Sequence, residues 1–132
     1  LNRGARDQAI QFDIHACTDV TGFGFLGHAW EMARASDVAF TLDVGSMPFL
    51  DGALELAAAG HLPGGARSNA EHLEGHVRWG GLGETHRDLL LDPQTSGGLL
   101  MACSPGDATA LQATGVGHIV GQVTAGGPSL GF

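Results

Sequence analysis

The residues most suited to chemistry lie between positions 16 and 28, where the sequence reads ACTDVTGFGFLGH. This pattern predicts the end of a strand, a glycine-rich turn and the start of an amphipathic helix. Asp19 falls where the strand ends, and a carboxylate there can hold a hard cation such as Mg²⁺. Thr21 can cap the helix, whose free N–H groups favour an anion. The spacing leaves one alternative open, in which Asp19 only caps the helix and Gly22 and Gly24 only turn the chain.

A second glycine-rich turn spans residues 92–98, which read DPQTSGG and lie between two apolar runs. Two hydroxyls, one amide and one carboxylate fall within these seven residues. A plain β-turn rarely needs so many hydrogen-bonding groups at once. The last four residues of the turn are therefore candidate cofactor-binding residues that shape a pocket: Thr95, Ser96, Gly97 and Gly98.

A third segment, residues 62–69, reads LPGGARSN and is predicted to be a loop. One interpretation is a main-chain anion cradle, with Arg67 as the charge partner and Asn69 as a further cofactor-binding residue. The alternative is an ordinary surface loop.

Zinc-type ligands occur in the sequence, but they do not form a complete set. By the period of two, His15, Cys17 and Asp19 share one face of the first predicted strand. A zinc site needs three or four ligands and a supporting second shell, and nothing nearby completes one. His72 and His76 are four residues apart without an acidic third ligand, so we interpret them as solvated histidines.

Composition limits the class of protein. The 132 residues, 43% hydrophobic and 15% charged, fit one globular domain. A net charge of −8 without a basic stripe argues against nucleic acid or an acidic membrane surface as a partner, whereas a metal-bridged anion stays compatible. Cys17 and Cys103 are predicted to be small buried residues in a reducing compartment. No signal peptide and no membrane-spanning apolar run is visible, so we expect a cytoplasmic protein.

Helical and strand-like patterns interleave along the chain, which predicts an α/β or α+β domain with a layered mixed sheet covered by helices. A single sheet is the simplest arrangement. Because the chain opens with Leu1 inside a helical pattern, we expect it to be a fragment of a longer protein. Helices are predicted over residues 1–11, 25–35, 51–59 and 105–114, a helical turn over 71–79, a loop over 82–86, and strands over 14–18, 38–44, 89–91, 99–103 and 117–124.

Three segments together resemble the selenophosphate synthetases (selenide, water dikinases), which belong to the aminoimidazole-ribonucleotide synthetase-like superfamily. Residues 18–28 are similar to the family's DVTGFGLxGH motif, and residues 92–100 to its DPQTSGGLL segment. Residues 62–69 resemble the family's PGGT…N loop, although Ala66 stands where the family has Thr. The resemblance covers essentially the whole chain and only the C-terminal half of the family's protein.

The resemblance implies that residues 1–132 form a single C-terminal domain, and that an N-terminal ATP-binding catalytic domain is absent from this chain. The implied enzyme is a Mg²⁺-dependent homodimer, often with K⁺, that converts selenide, ATP and water into selenophosphate, AMP and phosphate. The resemblance also implies that Asp19 is the Mg²⁺ ligand of this domain and that the domain contains no catalytic residue. Two alternatives remain: another ATP-dependent superfamily enzyme, of purine synthesis or hydrogenase maturation, or a non-catalytic interdomain or dimerisation module.

Overall fold

Helices and strands alternate along residues 2–132, the part of the chain that the computed structural model describes. This order confirms the predicted α/β class. No helix within these residues is long and apolar enough to cross a bilayer. The helices are α1 (Arg3–Ala9), α2 (Gly24–Ser36), α3 (Ala53–Ala58), α4 (Gly64–His72), α5 (Glu84–Leu91) and α6 (Pro105–Ala113), with a 3₁₀ turn at Val44–Ser46. The strands are β1 (Ile14–Asp19), β2 (Val38–Leu42), β3 (Val77–Arg78), β4 (Leu99–Cys103), β5 (Gly121–Ala125) and β6 (Ser129–Gly131).

The strands form two sheets within the described residues, so the expectation of a single sheet is wrong. Strands β1 and β4 pair antiparallel in a two-stranded sheet. The other sheet has the order β3-β6-β2-β5, in which β2 is antiparallel to β5 and parallel to β6, and β6 is parallel to β3. Hydrophobic periodicity identifies strands but carries no information on which strands pair.

Helix α2 lies at the centre of the core. Its predicted apolar stripe is buried, with Leu26, Ala29 and Ala33 at 0% exposure and Trp30 at 7%. The helix contacts both sheets, through β1, β2 and β6, and also contacts α4 and α5. Because α2 begins directly after the first glycine-rich turn, this packing fixes the turn relative to both sheets.

The loop predicted over residues 62–69 is wrong, because Gly64–His72 form helix α4. Pro63 has an extended backbone immediately before the helix. Ala66 is buried, and α4 packs against α2 and α5. This tertiary packing outweighs the poor helix propensity of the two glycines.

The strand predicted over residues 89–91 is also wrong, because these residues end helix α5. Leu90 and Leu91 are buried, and a short apolar run suits a buried helix as well as a buried strand. The same helix begins at Glu84, inside the segment predicted as the loop 82–86.

Several other boundaries differ from those predicted. The helical turn over residues 71–79 is limited to the end of α4, and β3 lies within the remainder. The strand over 117–124 begins only at Gly121, and β6 had no sequence signal of its own. The prediction for Leu1 lies outside the described residues.

Candidate functional site

Asp19 is the last residue of β1, and its side chain is exposed. The alternation along the strand places His15, Cys17 and Asp19 on the exposed face, which confirms the prediction that they share a face. Asp19 lies in register with Leu99, the first residue of β4. Because the second glycine-rich turn leads directly into β4, this pairing brings the two turns together at one end of the small sheet.

Three backbone hydrogen bonds link or close the two turns. The N–H of Val20 donates to the carbonyl of Gly98 at 2.9 Å. The N–H groups of Gln94 and Gly24 both donate to the carbonyl of Thr21, each at 3.0 Å. The turns thus form one hydrogen-bonded unit rather than two separate loops.

Two glycines allow this close approach for steric reasons. A Cβ added at Gly97 would lie 2.3 Å from the carbonyl oxygen of Val20. Gly24 has a φ of +68°, and a Cβ there would lie 2.8 Å from the carbonyl of Leu91. Both positions therefore exclude a side chain because of contacts with neighbouring backbone, and not only because a turn needs the conformational freedom of glycine.

We predict that Gly97→Ala destabilises the domain by about 1–3 kcal/mol, because the new methyl group must displace the backbone of Val20. Gly98→Ala is the matched control, since a Cβ there has nothing within 4 Å. Urea denaturation of both variants measures the difference. Equal stability of the two variants would contradict the steric argument.

Asn69 lies beneath the turns, on helix α4, and is buried. Its Nδ2 donates to the carbonyl of Gly22 at 3.0 Å and to the carbonyl of Leu91 at 2.8 Å. One amide group therefore ties the first turn to the end of α5, which leads into the second turn. Both donors of the amide are used inside the protein.

Arg67 lies on the exposed surface of the same helix. Its Nε donates to Glu71 Oε1 at 3.2 Å, one helical turn away. It lines neither of the two cavities beside Asp19. Since residues 64–72 are helical, the loop that was to form a main-chain cradle around Arg67 does not exist.

A small cavity of about 120 Å³ lies between the two turns. Asp19 lines it together with three of the four candidate residues of the second turn, namely Thr95, Ser96 and Gly97. The fourth candidate, Gly98, contributes its carbonyl to the hydrogen bond with Val20 instead. The structure thus brings most of the sequence-predicted site residues to one place.

A larger cavity of about 470 Å³ adjoins the first, because Asn2 and Asp19 line both. Its walls also include Arg3 and Arg6 of helix α1 and Cys17 of β1. Sequence analysis missed the α1 residues. The one available signal was that two of the chain's six basic residues fall within the first six positions.

The capping roles predicted for Thr21 and for Asp19 are wrong. Helix α2 begins at Gly24, its N-cap residue is Phe23, and no side chain caps it. Thr21 Oγ1 is instead hydrogen-bonded to His28 Nε2 at 3.0 Å. Local spacing suited a cap, but the turn is longer than a simple strand–cap–helix junction.

The two histidines that we interpreted as solvated are exposed, but each stacks on an aromatic ring. His72 lies against Phe23, with ring centroids 6.4 Å apart, and His76 lies against Trp30 at 4.1 Å. No group of three or more His, Cys, Asp or Glu side chains that could hold a metal occurs in residues 2–132.

Neither cysteine is fully buried, so the prediction of two buried cysteines is wrong. Cys17 is exposed because it alternates with partly buried positions along β1, and Cys103 is partly exposed. Desolvation, followed by the negative charge of Asp19, raises the pKa of the Cys17 thiol. A raised pKa keeps the thiol protonated and weakens it as a nucleophile.

The carboxyl of Asp92 faces the second turn itself. Gln94 Nε2 donates to Asp92 Oδ2. Desolvation raises the pKa of Asp92, and the hydrogen bond from Gln94 opposes that shift. Asp92 lines neither cavity, so Asp19 is the carboxylate that faces the candidate site.

The chain is similar to known proteins over most of its length. Residues 3–130 match the family described as AIR synthase related protein, C-terminal domain. The chain is 50% identical over 112 residues to a selenide, water dikinase of Rhizobium meliloti, an alignment that covers 84% of this chain and 32% of that protein. It is 45% identical over 130 residues to a selenide, water dikinase of Pelobacter propionicus, covering 93% of this chain and 37% of that protein. The chain thus spans about a third of the length of these relatives.

Proposed function

The chain belongs to the family of AIR synthase related C-terminal domains, and we propose that it is the C-terminal domain of a selenide, water dikinase. The matching relatives carry that name, in line with the resemblance of the two glycine-rich turns. The observation that carries the proposal is the small cavity that Asp19, Thr95 and Ser96 line together. A phosphoryl-transfer enzyme works mainly by positioning and by neutralising charge, and this cavity offers groups for both.

In this proposal, the longer enzyme converts selenide, ATP and water into selenophosphate, AMP and phosphate. It is a cytoplasmic homodimer that uses Mg²⁺ and often K⁺. ATP and selenide bind mainly to an N-terminal domain that this chain does not contain. The present domain supplies one wall of the site and is inactive alone.

The residues of the cavity fit a magnesium ion. Mg²⁺ prefers oxygen ligands and is typically held by one or two carboxylates together with water and substrate phosphates. Asp19 supplies an exposed carboxylate, and the hydroxyls of Thr95 and Ser96 line the same cavity. In the proposal Asp19 ligates Mg²⁺, which when bound neutralises charge on phosphate oxygens. The remaining ligands come from phosphates and from the N-terminal domain, because residues 2–132 offer no cluster of three ligands.

The second turn has a distinct role in this site. Its backbone is fixed by the Val20–Gly98 hydrogen bond and by the tight contact at Gly97. Thr95 and Ser96 project from this rigid support into solvent-exposed positions. They can therefore bind phosphate oxygens or metal-bound water without a large loss of conformational freedom.

The test is release of AMP from ATP, with and without selenide, by the longer protein that contains this chain and by the 132-residue chain alone. We expect selenide-dependent AMP from the longer protein and none from the chain alone. ADP as the final product, or equal ATP consumption without selenide, would favour another superfamily enzyme. Robust AMP formation by the chain alone would contradict its role as a single wall.

A further inference from the structure

The larger cavity beside Asp19 has a basic wall to which the proposed function gives no role. Helix α1 contributes Arg3 and Arg6 to this wall. The volume of about 470 Å³ falls within the range of small-molecule sites. Since Asn2 and Asp19 line both cavities, a ligand that reaches the metal site can extend into this space.

Arg3 differs from the other arginines in having no partner among the described residues. It makes no hydrogen bond and no ion pair within residues 2–132. The guanidinium offers five donors in a planar fork that matches phosphate oxygens. The other five arginines all have partners: Arg6 with Asp7, Arg34 with Glu31, Arg67 with Glu71, Arg78 with Ser129, and Arg87 with the Leu82 carbonyl and the Trp79 ring.

Asn2 is also free to bind a ligand. It occupies the cap position of α1, but its side chain makes no capping hydrogen bond. Asn2 lines both cavities, and a side-chain amide can donate two hydrogen bonds. Arg3 and Asn2 therefore bring donors without partners among the described residues to a cavity that Asp19 also lines.

Electrostatics restrict the ligand to one that brings its own cation. The chain has a net charge of −8, and Asp19 alone repels an anion. A divalent cation at Asp19 reverses the local sign, and Arg3 then adds a second positive charge on the adjoining wall. We infer that Arg3 and Asn2 form an anion subsite that binds a phosphate group of a metal-bound ligand. This inference rests on the proposed function, and it gives Arg3 the charge-partner role that the sequence suggested for Arg67.

The test is titration of the 132-residue chain with inorganic pyrophosphate, with and without Mg²⁺, followed by NMR of the arginine Nε–H groups. We expect a saturable shift at Arg3 that requires Mg²⁺. Arg3→Ala should weaken pyrophosphate binding about tenfold, since a charge-assisted hydrogen bond is lost. The pyrophosphate affinity of Arg3→Lys should lie between those of the unmodified chain and Arg3→Ala, because lysine keeps the positive charge but lacks the planar set of donors of the guanidinium.

Arg34→Ala is the matched control, because it removes the same charge from an exposed ion pair on α2. It should leave pyrophosphate binding within twofold of the unmodified chain. Equal binding by the Arg3→Ala chain, an equal shift at Arg34, or no saturable shift at all would each overturn the subsite. Parallel titrations with orthophosphate and with ATP identify the source of the phosphate group, since tighter binding of ATP indicates a nucleotide. The AMP-release assay tests the proposed function independently of these titrations, so a wrong subsite and a wrong function give different results.

Discussion

We expect Asp19→Asn to lower the proposed selenide-dependent AMP formation by the longer enzyme about 100-fold at limiting Mg²⁺, because the amide would lack the negative charge that is proposed to hold the ion. The substitution keeps the size of the side chain. The Asp19 carboxylate is exposed and accepts no hydrogen bond within the described part of the chain, so the fold should not change. We therefore expect a higher Mg²⁺ requirement with unchanged urea denaturation. Steady-state rates measured across a Mg²⁺ titration test this.

Asp13→Asn is a suitable control for this experiment. Asp13 precedes β1, is largely exposed, and within residues 2–132 forms a single ion-pair contact, with 3.6 Å between its Oδ2 and His15 Nε2. Its replacement removes the same charge from the same end of the chain but far from the turns. A Mg²⁺ dependence that is equal in the Asp19→Asn enzyme and the unmodified enzyme would refute a metal role for Asp19. Since the structure already removes the capping alternative, Asp19 would then have no assigned role.

Local patterns were sufficient for the elements nearest the site. The strand that ends at Asp19 and the buried stripe of α2 follow from periods of two and 3.6, which depend only on neighbours in sequence. The two turns were predicted because glycine and hydrogen-bonding residues are concentrated there, a composition that is typical of turns. Their meeting at one cavity was not predictable from periodicity, because it depends on the pairing of β1 with β4.

Sequence reasoning failed where tertiary packing decides the outcome. Gly64 and Gly65 favour a loop locally, yet packing of α4 against α2 and α5 makes them helical. That error made Asn69 look like a loop residue that binds a ligand, although its amide is buried between two carbonyl groups. Arg3 was missed because little in the sequence distinguishes it from other exposed arginines. Only the folded structure shows that it lines a cavity.

Asn69→Ala should destabilise the domain by about 2–4 kcal/mol, because it leaves the carbonyls of Gly22 and Leu91 without their donor. Ser68→Ala, on the exposed side of the same helix, should change the stability by less than about 0.5 kcal/mol. Urea denaturation measures both. Asn69→Asp tests the direction of the hydrogen bonds, since a carboxylate cannot donate and would face two carbonyl oxygens.

The pH dependence of the Asn69→Asp variant follows from linkage. Burial beside two carbonyls should raise the pKa of the introduced carboxyl in the folded state above its unfolded value near 3.9. The folded state then binds the proton more tightly, so the variant should be closest to normal stability at low pH. Its deficit should grow as the pH rises past the unfolded pKa and level off above the folded one. A deficit that does not change with pH would mean that the carboxyl is not buried.

The larger consequence of losing Asn69 should appear in the turns themselves. The amide holds the first turn against the end of α5, while the N–H groups of Val20 and Gln94 bridge the two turns. In Asn69→Ala, hydrogen exchange at these two N–H groups should accelerate more than exchange in the core of α2, because the turns can separate without global unfolding. Equal acceleration at all three places would show that Asn69 stabilises the domain as a whole and does not position the turns. Local acceleration would instead make Asn69 a positioning residue for Asp19, which would explain a buried asparagine beneath a site that it does not touch.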